Sequence, residues 1–492
     1  MRITNGMLIN NSLSNINSNK RTLDTLNTQL ASKKVIQRPS DDPIVAIRAL
    51  RFRSTLAEIE QYLTKNITDA RSWMESTEEA LSGIVESIGD IVTYCNQAVN
   101  GYYDEQNKSS IVETLKGYRD GIFNSANADC AGKTLFTGYK TDQMLTYVKE
   151  PEKTYMITQH FDADSIDTTK KIVNGLDVSN INDATIGSVN VSSIKLPTQT
   201  DVYRVRLAYD NLSADDGVTI ELKNPDASVT AITKNSKDSD AYLPGDNEVY
   251  YIADTGEVII GKGVYADFVT AESFDITYTK NNFEKGDLDP IQYFDCVDIT
   301  DADSSKWVTY TSRNQEINYE INFNQTIAIN IQGKNVFTQD MVRDLDEIIN
   351  AVNSAISAAN NKEKMEALYN SAEDGSTEKE KYKQLLDLCK REQDFADENM
   401  KNAFSNGMAA YTKHQDRVSL ARADIGARLN RLDLNESRLK AQKTTVENLK
   451  STNEDVNVVE VGIKLEEAES IYDASLMAAA KVVQTKLLSF LV

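Results

Sequence analysis

The sequence has few of the residues on which enzyme and metal sites depend. Its 492 residues include two histidines and four cysteines. His160 and His414 lie in unlike regions, and neither belongs to an H-E-x-x-H motif. The cysteines form no C-x-x-C pair, so we predict neither a disulfide framework nor zinc binding. Nucleotide-binding and nucleophile motifs are also missing. We therefore predict no catalytic residue, no cofactor and no metal, and a protein that is not an enzyme.

Long hydrophobic runs are missing as well. No stretch approaches the roughly 18–20 apolar residues that a membrane-spanning helix needs, and the first residues lack the apolar segment of a signal peptide. Net charge is -22, and residues 150–337 hold 15 basic against 31 acidic residues. Such an acidic surface repels polyanions. We expect no membrane span, no nucleic-acid partner and no cleaved signal peptide.

Proline is absent from the 202 residues that follow Pro290, which permits long helices there. In the middle of the chain the apolar period is two, for example over 203–209 and 274–278. Two further apolar runs flank Asp254-Thr255-Gly256, which predicts a hairpin. The order helices, strands, helices predicts a mainly α fold with an inserted β domain. Both chain ends should pair in a coiled-coil bundle, with the β-rich insert projecting from it.

An apolar stripe with a period of seven marks residues 9–30. Its members are Ile9, Ile16, Leu23 and Leu30. This period is typical of a coiled coil, but the segment is rich in Asn and Ser, so we expect it to become ordered on assembly. The stripe ends at a predicted turn, Pro39-Ser40-Asp41-Asp42-Pro43. Asp42 suits a helix N-cap and Pro43 a first helical position, so a second helix should begin there.

The longest heptad seam lies in this second helix and is predicted to be intrachain core. Its positions are Leu63, Ile67, Ala70, Met74, Thr77, Leu81, Ile84, Ile88, Ile91, Cys95 and Ala98. The C-terminal part predicts a helix after a Thr338 cap, a turn at 374–376, and a buried column from Val418 to Val446. The last helix carries a stripe of its own: Leu476, Val483, Leu487 and Leu491.

Three segments together resemble the hook-associated protein 3 family of the bacterial flagellin superfamily. They are residues 1–7 (MRITNGM), 38–43 (RPSDDP) and 135–141 (LFTGYKT). The resemblance covers roughly 1–142 and 315–492. Filament flagellins are the close alternative, but they resemble each other in an Asp-Asp-Ala-Ala-Gly run where this chain has residues 41–45 (DDPIV), and they usually end in Leu-Leu-Arg.

The resemblance implies three regions. Residues 1–38 and 455–492 would form a terminal coiled-coil assembly domain. Residues 39–142 and 315–454 would form a helical rod with a β-hairpin near 317–331. Residues 143–314 would form the β-rich outer insert.

The resemblance also implies a role, a location and partners. The subunit would join the hook to the filament, with a minor or divergent filament flagellin as the alternative. It would leave the cell unfolded, without a cleaved signal peptide, and would act in the extracellular flagellum. The implied partners are further copies in a ring or helical assembly, hook-associated protein 1, flagellin and an export chaperone. Neighbouring subunits would bury both terminal stripes, with residues 39–43 as the inter-domain turn.

Overall fold

The computed structural model describes residues 5–101, 105–224 and 226–488. Over these ranges the chain is helical at both ends and β-rich in the middle, which confirms the predicted fold class. The helices are α1 (Asn5–Ser32), α2 (Pro43–Gln61), α3 (Ile67–Asn100), α4 (Glu105–Ala126), α5 (Tyr265–Thr270), α6 (Pro290–Tyr293), α7 (Gln339–Ser371), α8 (Thr377–Glu454) and α9 (Val458–Leu488). None of these helices has an apolar stretch long enough to cross a membrane.

Fourteen strands are described along these ranges. They are β1 (Asp129–Cys130), β2 (Lys133–Thr134), β3 (Tyr155–Phe161), β4 (Ile166–Val173), β5 (Thr198–Arg206), β6 (Val218–Lys223), β7 (Ala227–Lys234), β8 (Val249–Ile252), β9 (Glu257–Ile260), β10 (Ser273–Lys280), β11 (Asp295–Asp298), β12 (Val308–Tyr310), β13 (Asn318–Asn322) and β14 (Gln325–Ala328). The chain divides into two compact units. The first comprises Met1–Arg71, Tyr319–Ile327 and Asn430–Val492, and the second comprises Ser72–Asn318 and Ala328–Leu429.

In the first unit, one π-helical turn at Tyr62–Asn66 separates α2 from α3. The second helix predicted from Pro43 is therefore helical without a break to Asn100, but it contains one π turn that the sequence did not predict. A π turn adds a residue to the helical repeat, so the buried face passes from Ile59 to Ile67, and Leu63 is only half-buried. The hydroxyl of Thr64 donates to the carbonyl of Glu60 within this distortion. The other ten seam positions are buried, as predicted.

The second unit contains a ten-stranded sheet in the order β12-β11-β3-β10-β6-β7-β8-β9-β5-β4. All its neighbours are antiparallel except β7 and β8. The predicted hairpin at 254–256 is confirmed as the turn between β8 and β9, where Gly256 has φ +63°. The sheet core is rich in aromatic side chains, including Tyr155, Phe268 and Phe274.

Ion pairs join helices of the second unit. Glu78 on α3 pairs with Arg422 on α8, and Arg119 on α4 with Asp346 on α7. Helix α7 follows Thr338 as predicted, but the Thr338 side chain makes no capping bond. Its hydroxyl accepts a bond from Arg417 instead.

Charged side chains, some of them buried, join the ten-stranded sheet to α7. Arg204 on β5 contacts Asp167 at 2.6 Å, Glu257 at 2.7 Å and Glu347 of α7 at 3.2 Å. Arg204 and Glu257 are almost completely buried. Burial alone raises the pKa of Glu257, but Lys171 and Arg204 hold the pKa well below its usual range. The cluster therefore remains charged where an isolated buried carboxyl group would be protonated.

Candidate assembly interface

In the first unit the two terminal helices pair antiparallel. Asn19 Nδ2 on α1 donates to Ser475 Oγ on α9 at 2.7 Å. Beyond one end of the pair, Lys34 and Asp455 form an antiparallel bridge. There the Val35 amide donates to the carbonyl of Glu454 at 2.8 Å. Helix pair and bridge together hold the two distant chain segments side by side.

The paired faces can be read from partly buried side chains at alternating spacings of three and four. On α1 they include Ile9, Ser12, Ile16, Asn19, Leu23, Leu26 and Leu30. On α9 they include Val461, Leu465, Ala468, Tyr472, Ser475 and Ala479. Most are only partly buried, because two helices alone cover one side of each other.

The predicted interface residues of α1 lie on the seam between the two helices, whereas those of α9 are off the seam or not described. Ile9, Ile16, Leu23 and Leu30 lie on the α1 face that packs against α9. Leu476 lies off the α9 seam and is 42% exposed. Val483 and Leu487 lie on α9, where only the backbone is described, and Leu491 lies outside the described residues. Burial of these stripes by neighbouring subunits stays a prediction.

Other large apolar side chains on the pair are exposed to solvent. They are Met7, Leu8 and Leu13 on α1, and Val458, Val459, Ile463, Ile471, Leu476 and Met477 on α9. Except for Leu13, which stands beside the first stripe in the sequence, and Leu476, sequence reasoning missed them, since they fall between the heptad positions. Large apolar residues beside a heptad stripe, rather than on it, are the sequence signal that could have found them. They are the large apolar side chains that the pair itself leaves uncovered.

The turn between α1 and α2 is organised by two consecutive aspartates. Asp41 Oδ2 accepts from the amides of Gln37 and Arg38 at 3.0 and 2.8 Å. These bonds hold the pKa of Asp41 below its usual range. Asp42 Oδ1 accepts from the amides of Ile44 and Val45 at 2.9 and 3.1 Å, which confirms the predicted cap. Pro39 and Ser40 complete the turn, and Pro43 begins α2.

Glu454, at the end of α8, is a buried charged residue of this unit. Arg53 on α2 donates to both its carboxylate oxygens, and Lys34 Nζ lies 3.4 Å away. Burial raises the pKa of Glu454, but the pairs with Arg53 and Lys34 outweigh burial and lower it. Sequence reasoning missed this cluster, since charged residues far apart in sequence give no periodic signal.

The described residues show no arrangement suited to metal chemistry. No group of three or more His, Cys, Asp or Glu side chains among them is placed to hold an ion. His160 is paired with Asp275, and His414 with Asp344.

The N-terminal part of the chain is similar to a known protein family. Residues 3–141 match the family described as bacterial flagellin N-terminal helical region. Over 143 residues, the chain is 31% identical to flagellar hook-associated protein 3 of Salmonella typhimurium, an alignment that covers 29% of this chain and 45% of that protein. It is 26% identical to flagellin of Escherichia coli over 268 residues, covering 53% of this chain and 51% of that protein.

These alignments reach about half the length of the curated relatives. Among solved structures, flagellar hook-associated protein 3 from Legionella pneumophila is 12% identical. That alignment covers 82% of this chain and 97% of the other, with a TM-score of 0.32, too low to support an argument. Residues 3–141 thus match the N-terminal helical region of bacterial flagellins, and the resemblance of the chain to hook-associated protein 3 is confirmed.

Proposed function

We propose that this protein is a structural, non-catalytic subunit of the bacterial flagellum. Within it, the subunit would join the hook, through hook-associated protein 1, to the flagellin filament. The observation that carries the proposal is the set of large apolar side chains left exposed on α1 and α9. Resemblance to hook-associated protein 3 supports the junction role in particular.

The physical argument rests on side chains that the isolated chain leaves in water. Val459, Ile463 and Met477 are 71%, 62% and 69% exposed. Fully burying one such side chain is worth about 1.5–3 kcal/mol. Several of them on each subunit offset the entropy lost when a terminal helix becomes ordered. The proposed partners on this surface are further copies of the chain, in a ring or a helical assembly.

Export without a cleaved signal peptide, assisted by a chaperone, is part of the proposal, as is an extracellular location. The cysteines support it, since all four are free and three are buried. Folding after export then needs no oxidation step. The proposed layers are an inner pair (1–38 and 455–492), a rod (39–142 and 315–454) and an outer insert (143–314).

A minor filament flagellin is the second candidate. The observation in its favour is that the alignment with flagellin covers 53% of this chain, against 29% for hook-associated protein 3. Labelling intact flagella with gold-conjugated antibody separates the two. A single ring at the hook–filament boundary supports the junction subunit, and labelling along the filament supports a flagellin.

The surface itself is tested by the double variant Ile463→Ser, Met477→Ser. We expect an unchanged melting temperature of the isolated subunit and loss of incorporation into flagella. Glu467→Ser is the matched control, since Glu467 is exposed on the same helix. Normal incorporation of the double variant would contradict the proposed surface. Deletion of residues 1–30 should likewise leave a folded core that does not assemble.

A further inference from the structure

Lys280, the last residue of β10, is completely buried. Its Nζ donates to the carbonyl oxygen of Asp210 at 2.6 Å. The ring centroids of Tyr209 and Phe283 lie 6.0 and 5.5 Å from Nζ. The carboxylate oxygen Oδ2 of Asp287 lies 3.8 Å away. The lysine amine is thus enclosed away from water beside aromatic rings and a carboxyl group, and the Asp287 side chain is 20% exposed.

Asp287 is held towards this amine by a tight turn. Its amide donates to the carbonyl of Glu284 at 3.2 Å, and its Oδ2 accepts from the amide of Glu284 at 2.9 Å. Gly286, between them, has φ +98°, a value that the third position of a type II turn requires and that glycine adopts without strain. The Tyr147 amide donates to the carbonyl of Asp287 at 2.9 Å, which fixes the turn from the other side.

We propose that Lys280 Nζ and Asp287 Cγ form an intramolecular amide bond, an isopeptide cross-link, once the second unit has folded. The amine nitrogen attacks the carboxyl carbon, so that an N–C bond forms and the C–OH bond breaks. One proton from the amine leaves with the hydroxyl group as water. No atom is oxidised or reduced in this condensation, so the step needs neither an oxidant nor a reductant. The products are the cross-linked chain and one water molecule.

The electrostatics of the site favour the reactive forms of both groups. Burial lowers the pKa of Lys280 below its usual range, which favours the neutral, nucleophilic amine. Burial raises the pKa of Asp287 to about 6, which increases the fraction present as the neutral acid, whose hydroxyl can leave as water. The carboxylates of Asp210 and Glu284 act electrostatically on both groups and are the bases at hand to carry the proton.

The cross-link would close the segment from the end of β10 to the loop before α6. Strand β10 pairs with β3 on one side and β6 on the other, well inside the ten-stranded sheet. The link would restrain this strand in a protein whose cysteines are all free. The inference does not depend on the proposed flagellar role.

The test is the intact mass of the full-length protein, measured after denaturation. We expect a mass lower than that of the sequence by one water molecule. Trypsin should fail to cut after Lys280, and fragments separated by cutting after Lys285 should remain joined. A full sequence mass, a free Lys280 cleavage site, or a water loss that maps to another position would each overturn the proposal.

Variants provide the matched comparison. Lys280→Met and Asp287→Ala should both have the full mass, whereas Lys285→Arg, at an exposed neighbouring lysine, should keep the loss of water. Unfolded wild-type protein, produced and kept in urea, should have the full mass and lose one water on refolding. That time course does not require any variant to fold. A refolded wild type that keeps its full mass would also overturn the proposal.

Discussion

Arg53 and Glu454, separated by 401 positions in the sequence, form a two-point ion pair. Arg53 Nε lies 3.0 Å from Oε1 of the glutamate, and Nη2 lies 2.8 Å from Oε2. Paired bonds of this kind fix orientation as well as distance. The pair therefore sets how α2 meets the end of α8 beside the bridge between Lys34 and Asp455.

The first prediction concerns removal of the arginine. Arg53→Met should lower the free energy of unfolding by about 1.5–3 kcal/mol, the usual worth of hydrogen bonds to a charged group. The buried carboxylate of Glu454 would retain only Lys34. Urea unfolding measures the loss. Arg51→Met, at an exposed position on the same helix, is the control, and equal losses in the two variants would contradict the prediction.

The second prediction concerns acid. Because the pKa of Glu454 is lowered in the folded protein, its ionised form stabilises the fold above the ordinary glutamate pKa, about 4.3. That stabilisation is lost as the pH falls through the folded-state pKa. The melting temperature of wild type should exceed that of Glu454→Gln near neutral pH, and the difference should shrink below about pH 4. A difference independent of pH would contradict this assignment.

The third prediction concerns the charge cluster between the sheet and α7. Arg204→Met should destabilise the second unit by about 3–5 kcal/mol, because it leaves Glu257 buried with Lys171 as its remaining cation. Adding Glu257→Gln to this variant should restore part of the loss. Thermal unfolding of the four members of this cycle measures the coupling. Strictly additive losses would contradict a direct ion pair.

The fourth prediction separates backbone strain from packing. Gly256 and Gly217 have nearly the same φ, +63° and +65°. A Cβ on Gly217 would meet open space, whereas one on Gly256 would overlap the carbonyl oxygen of Tyr209. Gly217→Ala should cost about 1–2 kcal/mol through φ alone. Gly256→Ala should cost about 2–5 kcal/mol. Equal losses of unfolding free energy in urea would contradict this prediction, because they would show that the hairpin turn tolerates the contact with Tyr209.

Local signals explain what the sequence could predict of the fold. Asp42 followed by Pro43 predicts a helix start without knowledge of any distant residue, and the structure confirms it. The glycine turn between β8 and β9 is equally local. By contrast, the strand order and the parallel pairing of β7 with β8 depend on contacts between distant segments, which no local periodicity encodes.

Local sequence patterns are limited in the same way at the candidate interface. A heptad stripe such as Ile9 to Leu30 indicates that a face is covered, but not which helix covers it. On α9 the seam includes Ala468, Ser475 and Ala479, small residues that weaken the apolar pattern. The larger side chain of Leu476 was therefore assigned to the predicted stripe, although it lies off the seam and is 42% exposed.

The pairing of α1 with α9 also has a consequence for the timing of folding. Asn19 and Ser475 are 456 positions apart, so α1 cannot gain its partner until almost the whole chain is available. An isolated helix with this composition is marginal in water, and contacts so distant in sequence form slowly. Closure of the terminal pair is thus a late step. The proposed assembly surface therefore forms only when almost the whole chain is available.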